Sequence, residues 1–218
     1  MKRALFWLLL WFIVGCGHTG VFKGPGGVIA NPRIHLVFWS DPLADTISGD
    51  IQAALAGGML DRLAEYGVGP GEFVATHYAD VSFPAPYDDL ALLQELGKEM
   101  DSGLVETPLA GGQDIYVLFL PPAGTSVILT AEHASGYHAA TTHNATPYYY
   151  AMVQSGPRLQ EDVVASHEIY EAATDPDAAS WRNWPSLEEL ADMCEGDLEI
   201  IGGVTVEQVW SQVKLACE

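Results

Sequence analysis

The sequence predicts a mixed α/β (α+β) domain on a mainly parallel sheet, and three observations carry that prediction. Apolar stretches of strand length alternate with amphipathic helical segments in the first half of the chain, the pattern of parallel strands joined by crossover helices. The first stretch, Ile34 to Trp39, is rich in β-branched and aromatic residues and reads as a buried strand. A glycine- and histidine-containing stretch, Ala131 to Asn144, reads as an irregular or edge strand ahead of the last long helix.

The elements follow in order. After the first strand, Ile47, Ile51, Leu55, Met59 and Leu63 recur at helical spacing, with Asp45 or Thr46 as N-cap. The run from Tyr66 to Gly71 stops that helix. Phe73 to Val81 is a second strand, and Asp88 to Met100 a helix with Leu92, Leu93, Leu96 and Met100 on one face. Asp114 to Leu120 is a third strand, ended by Pro121-Pro122, and Tyr148 to Gln154 another. Leu159 to Thr174 is a long helix, stopped at Asp175-Pro176 because the residue before proline disfavours helical geometry. The tail reads as a short helix from Leu187 to Met193, capped by Ser186, and a strand near Val204 to Val213.

Lys2 and Arg3 precede an unbroken apolar run from Ala4 to Val14, the layout of an export signal and too short to span a membrane. It ends at Ile13-Val14-Gly15-Cys16, which reads as a lipobox. Residues 1–15 are then a lipoprotein signal peptide, with Cys16 the lipid-anchored start of the exported chain; the alternative is an ordinary signal peptide with an incidental cysteine. Residues 16–31, rich in glycine, read as a flexible tether, and residues 32–218 as one domain. Removing residues 1–15 takes away two basic residues, so the net charge of −20 becomes −22. So acidic a chain is not drawn to nucleic acid or anionic lipid; its contact with membrane is expected only through the anchor. Cys194 and Cys217 remain, and in an exported protein they read as a disulfide, the alternative being two separate buried thiols.

The chemistry is concentrated on the long helix, at His167-Glu168-Ile169-Tyr170-Glu171. Residues four apart share a helical face, so His167 and Glu171 can bind one divalent metal together. Glu168 lies about 100° round the helix, where His-Glu-x-x-His metalloproteases carry their general base. Here a glutamate replaces the second histidine. It donates more charge and weakens the metal as a Lewis acid; zinc remains the leading ion, with calcium or manganese more accessible than usual. Spacing alone is weak support, because glutamates are common on solvated helices. Two further features strengthen it. Glu189 and Asp192 follow three apart and offer a third ligand; Glu189 is preferred, with Asp192 orienting His167 through its other ring nitrogen, and the reverse assignment stays open. The element order also fits the catalytic subdomain of zincin metallopeptidases, in which an antiparallel edge strand lines the cleft beside the active-site helix. Of the histidines in that edge stretch, His133 and His143 read as exposed, and His138 as an extra ligand or a group that polarises a substrate carbonyl. Tyr137 and Tyr170 are candidates for oxyanion contacts, but core packing is the preferred reading of both.

The run from Val164 to Pro176, with Glu189-Leu190-Ala191-Asp192-Met193-Cys194-Glu195-Gly196, resembles conserved segments of the EXORDIUM-like (phosphate-induced) proteins and their bacterial relatives. His35 to Trp39 and Gly136-Tyr137-His138 match more weakly. The resemblance implies an extracellular setting, a metallopeptidase-like fold and functional weight on His167, Glu168, Glu171, Glu189 and Asp192. Asp175 stands where the plant pattern has asparagine, which favours a helix-end cap over a ligand. The plant proteins' extra cysteines in the edge region are absent here.

Two functions follow as expectations. The first is a zinc metallopeptidase of the cell envelope, acting as a monomer on a peptide or protein, with metal on His167, Glu171 and a tail carboxylate, Glu168 as general base and His138 assisting. The second is a non-catalytic extracellular protein with a structural zinc or calcium site and a cell-wall partner. A metal-free cluster of hydrogen-bonded carboxylates is the third reading, disfavoured because packed carboxylates are costly to ionise.

Overall fold

The computed structural model describes residues 20–79, 87–121 and 126–218, so the signal, Cys16 and residues 80–86 and 122–125 lie outside the described residues. In chain order the elements are β1 (Gly20–Lys23), β2 (Arg33–Trp39), α1 (Ala44–Ala56), a 3-10 helix (Met59–Tyr66), β3 (Glu72–Ala79), α2 (Asp89–Ser102) and β4 (Asp114–Phe119). Then come α3 (Val127–Glu132), β5 (Gly136–His143), β6 (Thr146–Val153), α4 (Arg158–Thr174) and β7 (Trp181–Trp184). The tail holds a 3-10 turn (Asp192–Cys194), β8 (Leu198–Ile201), β9 (Val204–Glu207), β10 (Trp210–Ser211) and β11 (Ala216–Cys217).

Five strands make one sheet in the order β3-β2-β4-β6-β5. The first four run parallel, and β5 returns antiparallel along β6 as the edge. Asn144 and Ala145, both at positive φ, turn the β5–β6 hairpin. Both sheet faces are covered, which is why β2 and β4 are buried along nearly their whole length. Alternation divides their side chains. Leu36, Phe38, Val117 and Phe119 enter the core under α1 and α4, while Val37, Trp39, Tyr116 and Leu118 enter the core under α2 and α3.

Several local expectations change. The helix read from Asp45 to Tyr66 breaks at Gly57-Gly58, where Gly58 takes φ 85°, and resumes as the 3-10 helix. Its start is at Ala44 without a side-chain cap; neither Asp45 nor Thr46 caps it, and Asp41 Oδ1 instead accepts from the Leu43 N–H at 2.7 Å. The segment 127–132 is helical, with the Ser126 hydroxyl accepting from the Leu129 N–H. The tail helix expected from Leu187 shrinks to the turn at Asp192, since Leu187 sits at φ 66° and the Ser186 hydroxyl donates to Glu188. The strand expected from Val204 to Val213 divides into β9 and β10.

The stretch read as a tether is part of the fold from Gly20 onward. β1 pairs antiparallel with β7, and the N–H groups of Gly24 and Gly26 donate to the carbonyls of Ser180 and Ala179 at 2.8 Å each. Glycine serves close approach here, because a side chain at Gly24 or Gly26 would collide with the Ala179 backbone. Cys194 and Cys217 form the expected disulfide.

Candidate metal centre

α4 lies across β5 and β6, with Ala165, Ile169, Ala172 and Ala173 fully buried against the core. It ends at Asp175, whose N–H still donates to the Glu171 carbonyl before Pro176 breaks the pattern. The face carrying His167, Glu168 and Glu171 points away from that core, yet Glu168 and Glu171 are only 4% and 5% exposed. β5 covers them from one side and the tail from the other.

Alternation along β5 decides what it contributes. Tyr137 and Ala139 pack toward α2, so His138 faces α4. Close packing needs Gly136: a Cβ there would lie 2.5 Å from Glu168 Oε1 and 2.6 Å from a Val164 methyl. His138 Nδ1 is 3.5 Å from Glu168 Oε2 and 3.5 Å from Glu171 Oε2. Its Nε2 faces the Asp175 carbonyl at 3.2 Å and Glu189 Oε2 at 3.5 Å.

His167 is arranged the same way. Its Nε2 faces Glu171 Oε1 at 3.1 Å and Asp192 Oδ1 at 3.6 Å. Its Nδ1 is 2.9 Å from Glu207 Oε2, and Glu207 is itself fixed: Oε1 accepts from the Gly196 N–H at 2.7 Å and its own N–H donates to the Ser166 hydroxyl. Orientation of His167, expected from Asp192, therefore falls to Glu207. Asp192 joins Glu171 on the other nitrogen, Nε2. Glu189, the preferred third ligand from sequence, takes Arg182 Nη2 on Oε1 at 2.6 Å and leaves Oε2 buried without a hydrogen bond.

All six predicted residues (His138, His167, Glu168, Glu171, Glu189 and Asp192) line one cleft of about 590 Å³. Within it, His138, Glu168 and Glu171 bring three ligand atoms within 4.8 Å of one another, as do His167, Glu171 and Asp192. Buried oxygens of Glu168, Glu171 and Glu189 have no hydrogen bond. Orphaned oxygens beside histidine nitrogens are the donor set a divalent cation takes, so the residues fit a metal.

The titration behaviour agrees. Burial opposes charge on both histidines, but the carboxylates around them raise both well above the ordinary value: Glu168 and Glu171 for His138, Glu171 and Glu207 for His167. Burial likewise opposes ionisation of Glu171, yet the two histidines hold its carboxyl down at about 2. Glu189 is pushed up to about 8 by burial and by Glu171. Binding of a cation by these groups would displace protons from them.

The other candidates stand outside the ligand cluster, although Tyr137 and His133 also line the cleft. Asp175 Oδ1 accepts from the Ser180 N–H and Oδ2 pairs with Arg182 Nε, both at 2.5 Å, so it braces the end of α4. The Tyr137 hydroxyl donates to Asp89, and Tyr170 is fully buried in the core. His143 stands beside Asp101, and His133 is exposed at the end of α3. Sequence reasoning missed Glu207 and Arg182. The only hint of Glu207 is a charged residue at the end of the apolar strand Val204-Thr205-Val206.

Comparison of the chain with protein-family models, with curated proteins and with solved structures gives no match. What the fold and site define is a mixed α/β domain with a histidine–carboxylate cluster able to hold a metal ion.

Proposed function

We propose that the chain is a zinc-dependent hydrolase of zincin-like fold, most simply a peptidase, lipid-anchored at Cys16 in the cell envelope and related to the EXORDIUM-like proteins. The observation that carries the reading is the setting of His167. One ring nitrogen is anchored by Glu207 and the other faces Glu171 and Asp192, with Glu168 buried beside them at the cleft.

His167, Glu171 and Asp192 would hold the metal, which supplies Lewis acidity toward water and a substrate carbonyl. The chain's own groups do the rest. Glu207 fixes the tautomer that leaves Nε2 free to bind. Glu168 takes the proton of the attacking water and passes it to the leaving amine. His138 faces the same space from β5, as an extra ligand or as a group that polarises the substrate carbonyl. β5 ends the sheet, so an extended peptide can pair along it.

Elemental analysis of the purified protein, beside a peptide-library assay, tests this. Zinc should be present, absent from Glu171→Ala, and retained by a Glu168→Gln variant that no longer cleaves. Calcium alone, or no metal in a folded chain, removes the hydrolase reading and leaves a binding protein.

A further inference from the structure

Glu171 does not serve His167 alone. Its Oε1 lies 3.1 Å from His167 Nε2, while its Oε2 lies 3.5 Å from His138 Nδ1. The two histidines come from different elements, yet each keeps one nitrogen on acceptors outside the cluster and turns the other toward this carboxylate. For His167 the outer acceptor is Glu207 at 2.9 Å. For His138 the outer acceptor is the Asp175 carbonyl at 3.2 Å, with the Glu189 carboxylate, held by Arg182, close by at 3.5 Å. An outer acceptor that sets the tautomer is the usual companion of a metal-binding histidine, and this cluster has two such arrangements.

We infer that the site holds two divalent ions bridged by the Glu171 carboxylate. The first position is His167, Glu171 and Asp192. The second is His138, Glu168 and Glu171. The inference rests on the hydrolase reading above and extends it. Three features support the second position. Glu168 Oε2 is buried without a hydrogen bond and its side chain is only 5% exposed, so it is aimed into the cluster rather than at solvent. The three ligand atoms already lie within 4.8 Å of one another. Charge is the third: Glu168, Glu171, Asp192 and Glu207 surround the two histidines while the guanidinium of Arg182 pairs with Asp175 and Glu189, so a single divalent ion leaves part of that charge uncompensated. A carboxylate with one oxygen toward each ion suits the short separation of two-metal hydrolytic sites, roughly 3.5–4 Å. In this arrangement Glu168 is a ligand of the second ion as well as a neighbour of the attacking water.

The test is zinc stoichiometry on chelator-stripped full-length protein, by calorimetric titration and elemental analysis, with circular dichroism to show that each variant is folded. Wild type should take two zinc ions. His138→Ala should keep one and weaken the other by more than the roughly 10–100-fold that loss of an outer hydrogen-bond partner costs. Asp192→Ala should do the reverse, and Glu171→Ala should lose both. His138→Gln, closer in size, provides the same reading if the alanine variant does not fold. One zinc in wild type, unaffected by either His138 variant, overturns the second position and leaves the single-metal hydrolase standing. One zinc lost with His138→Gln but kept in Asp192→Ala overturns both, because the metal would then avoid His167. No zinc at all also removes both.

Discussion

α4 buries carboxylates at both ends. Near its start, Glu161 and Asp162 are 0% and 3% exposed; two turns later, Glu168 and Glu171 are almost as deep. The partners differ. Glu161 Oε1 accepts from the Gly156 N–H and Ser155 hydroxyl and has Asp41 for a neighbour, while Asp162 faces Asp50, with Arg158 bridging the two. Burial and these like charges push Glu161 and Asp162 each up to about 7, so this end avoids unpaired charge by keeping protons. At the other end, two anchored histidines hold Glu171 at about 2. Equal burial of the same residue types gives protonated carboxyls in one place and, in the other, a carboxylate in a group able to hold a metal ion. The neighbours decide: a histidine beside a carboxylate can carry the balancing positive charge, and a second carboxylate cannot.

The largest expected contrast is in metal content. Glu171→Ala should abolish zinc binding, whereas Asp162→Asn should leave it unchanged, as equilibrium dialysis with elemental analysis will read. Loss of metal from both variants would mean that acidity, not the histidine arrangement, holds the ion. Next in size is the disulfide, which ties the turn carrying Asp192 to the C-terminal strand. Cys217→Ser should cost about 3 kcal/mol of unfolding free energy for a closed loop of 23 residues. It should also weaken zinc binding while the N-terminal carboxylates keep their raised pKa values. Urea denaturation and carbon-13 NMR titration of the carboxyls measure the two effects.

Glu207→Gln comes third. It keeps the side chain's shape but removes the charge that orients His167, and zinc affinity should fall roughly 10–100-fold with little change in stability. An unchanged affinity would show that the Glu207 contact is only packing.

The smallest effect concerns pH. The native Asp162 value of about 7 lies above the unfolded value of roughly 4. The native state therefore binds the extra proton between those values. Stability falls as pH rises through that window and is level above it. Asp162→Asn cannot ionise, so it should match wild type at pH 4 and exceed it at pH 8, by about 1–2 kcal/mol or a few degrees in thermal midpoint. Equal differences at both pH values would place the native Asp162 carboxyl near its ordinary pKa.

Much of this was legible in the sequence where the relevant spacing is local. The helical pair His167/Glu171, the α2 face of Leu92, Leu96 and Met100, and the parallel strands at Ile34 and Asp114 each follow from a period within one element. Glu189 and Asp192 were located, but the expected helix that would present both on one face is a single 3-10 turn, so they face different histidines, Glu189 toward His138 and Asp192 toward His167. Asp192 instead folds back, its Oδ2 accepting from the Glu189 N–H at 3.2 Å and its Oδ1 facing His167. Glycine content near the start misled for a similar reason. Composition measures chain freedom, but Gly24 and Gly26 are there to let β1 lie against the backbone beside β7.

By itself the sequence determined the mixed α/β class, the helix that carries the chemistry and the residue types able to bind a metal, since periodicity and side-chain chemistry are properties of neighbours along the chain. Only the tertiary structure decided that Glu207 anchors His167, that Arg182 engages Glu189 and that His138 reaches Glu171 from an edge strand. Those contacts join separate elements, and the free energy that selects them comes from packing β5, α4 and the tail around one buried cluster of charge.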